Sequence, residues 1–126
     1  MEPVTPFEEL GGEFVLRTIV REFVERMTSD PMIGSFFSKV DKKRLAEMEY
    51  QFTARFLGAP LEYTGRAIRE AHQAHRIMGG QFDRRRKILE EVIDQYGVQP
   101  HVKRAWLEHV DGLRAQVTYQ ASGECD

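Results

Sequence analysis

Residues 57–72, Leu-Gly-Ala-Pro-Leu-Glu-Tyr-Thr-Gly-Arg-Ala-Ile-Arg-Glu-Ala-His, pass from a loop rich in breakers into a short helical pattern. Gly58-Ala59-Pro60 closes one segment. Gly65 opens the next, which runs to Gly79 and carries Ile68, Ala71, His72 and His75. Offsets of three and four return to the same side of a helix, so the two histidines share a face with Ile68 and Ala71. A polar ring on an apolar stripe says more than an apolar residue in its place. On the residues alone, His72 is either a core imidazole bonded to a carbonyl or a metal ligand. His75 reads as a rim residue, because two histidines one turn apart need a third ligand. No HExxH, CxxC or acidic cluster with ligand spacing supplies one.

The helical period continues on both sides of this stretch. Upstream, Thr5-Pro6-Phe7-Glu8 predicts a helix start with Thr5 as cap, Pro6 in the first turn and Glu8 completing a capping box. From Glu13 to about Ser29, Leu16, Ile19, Val20, Phe23 and Met27 recur three and four apart. A tight stretch follows from Pro31 to Phe37. The next predicted helix, from about Asp41 to Leu57, puts Leu45, Met48, Phe52 and Phe56 on one side. Glu49, four after Leu45 and three before Phe52, falls on that inward stripe. It either serves a site there or snorkels to water. Downstream, one long helix carries Phe82, Ile88, Leu89, Val92, Ile93 and Tyr96. A last one carries Val102, Trp106, Val110, Leu113 and Val117, with His109 on its stripe as a core histidine. No stretch alternates with period two long enough for a sheet, so the fold class is all-α.

At 126 residues, 41% hydrophobic and 30% charged, the chain fits one ordinary globular domain. No apolar run approaches the roughly 18 residues that cross a bilayer. MEPVTPFEEL has no basic stretch leading into an apolar one and does not read as a secretory signal. The single cysteine, Cys125, excludes a disulfide framework and makes a reducing cytoplasm the expected location. A net charge of -2 gives no general pull toward nucleic acid or anionic membrane. The Arg84-Arg85-Arg86-Lys87 run lacks interleaved aromatics and reads as a solvated face. No GxGxxG, GxxxxGK[ST] or nucleophile elbow occurs, so no catalytic residue is assigned.

Phe36-Phe37-Ser38, then Leu45, then Gly58-Ala59-Pro60-Leu61-Glu62-Tyr63-Thr64-Gly65, then Ala71-His72 and Ile77, together resemble the truncated hemoglobins, the first group most of all. Gly11-Gly12 between the first two helices is similar as well. The resemblance runs from about residue 6 to 117 and leaves a polar tail, 118–126, so that 1–126 form a single truncated-globin domain. It implies a shortened 2-over-2 globin-like helical sandwich around a b-type heme. By the same resemblance His72 is the proximal ligand, binding iron through one ring nitrogen. Phe37 packs on the heme face, and Leu45 and Phe52 line the pocket from the distal helix. Arg76, Lys42 and Lys43 are candidate partners of the heme propionates, or plain surface charge. Phe23, Phe56, Met48 and Ile77 supply the rest of an apolar slot.

The chain departs from the family at the ligand side. Val24 stands where oxygen-binding members carry a tyrosine, and Glu49 where they carry a glutamine. An ionised carboxylate only accepts hydrogen bonds and weakens oxygen binding, whereas a protonated Glu49 donates. Met48 adds a third option, a sulfur ligand on the sixth site. The resemblance thus implies a heme protein that reversibly binds diatomic gases, O2, NO or CO. The alternatives are a heme redox enzyme, dioxygenating nitric oxide or acting like a peroxidase, and a heme-free helical interaction module. The enzyme would need a separate reductase, since the chain has no flavin or nicotinamide motif. No oligomeric state is encoded in the pattern.

Overall fold

A computed structural model of the chain describes residues 4–61 and 79–114. The expected histidine-bearing helix, with His72, His75, Arg76 and Ile77, lies outside them, as does Val117. The described residues form five α-helices and one 3-10 helix, with no strand among them. These are α1 (Pro6–Leu10), α2 (Gly12–Thr28), the 3-10 helix Gly34–Phe37, α3 (Lys42–Phe56), α4 (Gly79–Gln95) and α5 (Pro100–Gly112).

The local signals act as the sequence predicts. Thr5 accepts from the Glu8 backbone while the Glu8 side chain accepts from the Thr5 backbone, a complete capping box. Gly11 then turns the chain into α2 with φ +124°, and a Cβ there would lie 2.7 Å from Val15 Cγ2. Only glycine fits this corner. The Asp41 carboxylate accepts from the Lys43 and Arg44 backbone and starts α3.

α2 is the centre of the molecule, packing on α1, α3 and α4. Its Leu16, Ile19, Val20, Phe23, Val24 and Met27 are buried, one residue more than the predicted stripe. They meet Phe82, Ile88, Leu89, Val92 and Ile93 of α4 and Val102, Trp106, Leu107 and Val110 of α5 in one core. Each such side chain contributes about 1.5–3 kcal/mol relative to exposure. The two layers of the sandwich are α2 with α3 and α4 with α5, joined where α2 meets α4. Tyr96 does not join the core. It follows the last residue of α4, at the end of the packed layer, and is exposed.

α3 corrects the sequence in an instructive way. Its buried residues are Tyr50, Thr53 and Ala54, continued by Leu57 and by half-buried Ala46. The expected stripe of Leu45, Met48, Glu49, Phe52 and Phe56 is a second face, about a third of a turn away at 100° per residue. Of these, Leu45, Met48, Glu49 and Phe52 are half-buried and Phe56 is exposed. This face joins the common core where α3 packs on α2, and that contact takes precedence over the bulkier stripe.

The basic run is corrected too. Arg84 donates to buried Asp30 through Nε at 2.9 Å and a terminal nitrogen at 2.7 Å. Arg85 donates to Glu49 at 2.7 Å, and Arg86 Nε to Asp111 at 2.5 Å. Three of the four cations bind separate acids on other elements, so the run joins α4 to its neighbours instead of forming one solvated face. Asp30 also accepts from the Met32 and Ile33 backbone at 2.9 and 3.2 Å. These bonds fix the corner that leads into the 3-10 helix.

Candidate functional site

The second face of α3 carries the described part of the site. Leu45 packs on the edge of the core, while Met48 and Phe52 stand half-buried outside it. Phe37, delivered by the 3-10 helix, is half-buried and touches the core. Val24 is buried on α2 and carries no polar group. Among these apolar neighbours Glu49 is the polar insertion. Its carboxylate accepts from Arg85 of α4 at 2.7 Å, with the two side chains 20% and 18% exposed. The Arg85 guanidinium also lies over the Phe23 ring, 5.0 Å from its centroid. Such a contact adds cation–π attraction within about 6 Å of a ring. Three helices therefore meet at one charge-balanced pair. Glu49 does not snorkel to open water.

Sequence reasoning missed Arg85 by treating the basic run as a block. The signal was present: Arg85 follows Phe82 by three and precedes Ile88 by three and Leu89 by four, on the buried stripe of α4.

His109 of α5 stacks on Phe56 with ring centroids 3.8 Å apart and planes 10° from parallel. Phe52 lies 5.6 Å away. The buried Nε2 meets no hydrogen-bond partner among the described residues. This differs from a carbonyl-bonded core histidine. Burial pushes the imidazole below its ordinary value and favours the neutral ring.

Lys42 lies exposed at the start of α3, with Glu25 at 3.4 Å, a pair in open solvent. Lys43 is exposed as well. His72, Arg76 and Ile77 fall outside the described residues. Among the described residues, no three histidine, cysteine or acidic side chains converge on a point that could hold a bare metal ion. No described helix is long and apolar enough to cross a membrane.

The geometry amounts to an apolar, half-buried wall on α3 with one neutralised polar pair. The bacterial-like globin family profile matches residues 5–119 of this chain. The group 1 truncated hemoglobin GlbN of Synechocystis sp. is 32% identical over 98 residues, 75% of this chain and 79% of that protein. A group 1 truncated hemoglobin GlbN from Mycolicibacterium paratuberculosis is 32% identical over 76 residues, 60% of this chain, and this chain spans 56% of its length. Among solved structures, the group II truncated hemoglobin from Bacillus anthracis superposes with a TM-score of 0.84 at 25% identity, over 98% of this chain and 99% of that one. The Fe(III) form of the truncated hemoglobin from Tetrahymena pyriformis gives a TM-score of 0.85 at 24% identity over 92% and 99%, a likeness of fold.

Proposed function

This chain belongs to the bacterial-like globin family, and from that premise we propose that it reversibly binds diatomic gases, O2, NO or CO, at a heme b iron held by His72. The observation that carries the proposal is the family match over residues 5–119, joined to a half-buried, largely apolar face of α3 that meets the core only at Leu45. That face fits the cofactor in its chemistry. Heme is a flat apolar ring that needs an apolar wall, and the one ion pair in the wall carries no net charge.

When bound, heme supplies an iron with one coordination position open to a small ligand. The chain's own residues do the rest. His72 holds the iron through a neutral ring nitrogen. Phe37, Leu45, Met48 and Phe52 cover the ring and exclude water, with Ile77 extending the slot. Val24 brings no hydrogen-bond donor to the ligand side, and Glu49 offers an acceptor tied to Arg85. Arg76 and Lys42 are assigned to the propionate edge. Lys42 reaches it by leaving Glu25, an exposed pair worth little. A reducing cytoplasm is the proposed compartment, on the strength of the single cysteine.

The test is an absorption spectrum of the purified protein with added hemin, ferric and then dithionite-reduced, with and without CO. A heme spectrum that shifts with CO and is lost in His72→Gly, then restored by free imidazole, is the expected result. A protein that takes up no hemin would sink the proposal.

A further inference from the structure

We propose that Arg85 is a specificity-determining residue of the ligand side, where its charge and that of Glu49 together set the potential felt by a bound diatomic molecule. This rests on the proposed heme function. Glu49 is on α3 and Arg85 on α4, 36 residues apart in sequence, and their 2.7 Å contact bridges the two layers of the sandwich. Among the described residues, every other ion pair between two helices has both side chains at least 29% exposed, as in Arg26 with Glu91, Arg86 with Asp111 and Lys103 with Glu90. Here both partners are at or below 20%. The pair shares its face with Phe52 and Met48 of α3, and Arg85 rests on Phe23, the neighbour of Val24.

Partial burial makes the balance of charge matter. Opposite charges in contact nearly cancel at a distance, but removing one leaves the other unopposed in a poorly screened place. Bound oxygen carries partial negative charge. A lone guanidinium stabilises it and a lone carboxylate repels it. Neither Val24 nor any apolar neighbour compensates. Glu49 engages one terminal nitrogen of Arg85, and a guanidinium has five N–H donors to offer. The polarity that a tyrosine would supply from α2 therefore comes from α4 as a charge held in check.

The experiment reads the C–O stretching frequency of the CO complex of the holoprotein, which falls in a positive field and rises in a negative one. Glu49→Gln is expected to lower it, Arg85→Met to raise it, and the double variant to return it near the wild-type value. Arg85→Lys should stay close to wild type. Oxygen dissociation should slow in Glu49→Gln and quicken in Arg85→Met by about tenfold each, the effect of one unopposed charge at partly screened range. Stretches that do not move, or that move the same way in both single variants, overturn the inference while leaving the heme function standing. If Arg85→Met fails to fold, Glu49→Gln and Glu49→Ala must both lower the stretch for the inference to survive. A wild-type protein that forms no CO complex overturns both readings.

Discussion

Replacing His109 by phenylalanine should make this protein more stable, and more so in mild acid. The Nε2 atom is buried and meets no hydrogen-bond partner among the described residues. A buried polar atom left unpaired costs about 1–3 kcal/mol. Phenylalanine removes that cost and keeps the stack on Phe56, now 3.8 Å between centroids. Such ring pairs contribute about 0.5–1.5 kcal/mol beyond the area they bury. The wider ring takes back part of the gain through tighter packing. A net gain of about 1 kcal/mol remains, raising Tm by about 4 °C for a domain of this size. The pH dependence follows from burial, which holds the folded imidazole below 6.5. As pH falls through 6.5 the unfolded chain binds a proton that the folded chain refuses, so wild type loses stability until the folded imidazole also protonates. The variant lacks this loss. Urea unfolding followed by circular dichroism at pH 7.5 and 5.5, with heme occupancy held fixed, measures both effects. A variant less stable than wild type at pH 7.5, or a gap that does not widen at pH 5.5, would refute the reasoning.

Two further perturbations bear on the frame around the site. Asp30→Asn keeps an acceptor for the Met32 and Ile33 backbone but loses the charge opposite Arg84, and should cost about 2 kcal/mol at neutral pH. Arg84 holds the Asp30 carboxyl below its usual 3.8. The stability it contributes is therefore complete above that value, and urea midpoints of variant and wild type should converge as pH falls below it. Gly11→Ala should cost about 1–3 kcal/mol, since φ +124° excludes a side chain and its Cβ would sit 2.7 Å from Val15 Cγ2. Gly97→Ala, at φ +65° with nothing within 4 Å, should cost about 1 kcal/mol. Equal melting temperatures for these two variants would contradict the strain at the α1–α2 corner.

Much of the frame is legible in sequence because its causes are local. The capping box at Thr5 and Glu8, the stripe of α2 from Leu16 to Met27 and the breakers at Gly11, Pro31 and Gly58 each depend on residues a few positions apart. So does the absence of any alternating run, which makes the chain all-α before a single contact is known. The stretch from Leu57 to His72 then carries the family resemblance that the profile match and the relatives bear out.

Tertiary structure decided what depends on neighbours far away in the chain. α3 has two candidate faces, and amplitude alone favours Leu45, Met48, Phe52 and Phe56 over Ala46, Tyr50, Thr53, Ala54 and Leu57. The quieter face is the one buried, because it is the one that joins the core where α3 packs on α2. His109 looked like a satisfied core histidine until its neighbours proved to be two phenylalanine rings. The arginines from Arg84 to Arg86 form one run in sequence but turn to three different partners, about 100° apart around α4. Periodicity reports which way a residue faces along its own helix. Which charge it meets across 36 residues is set only when the layers pack, and Glu49 finding Arg85 is a consequence of that packing.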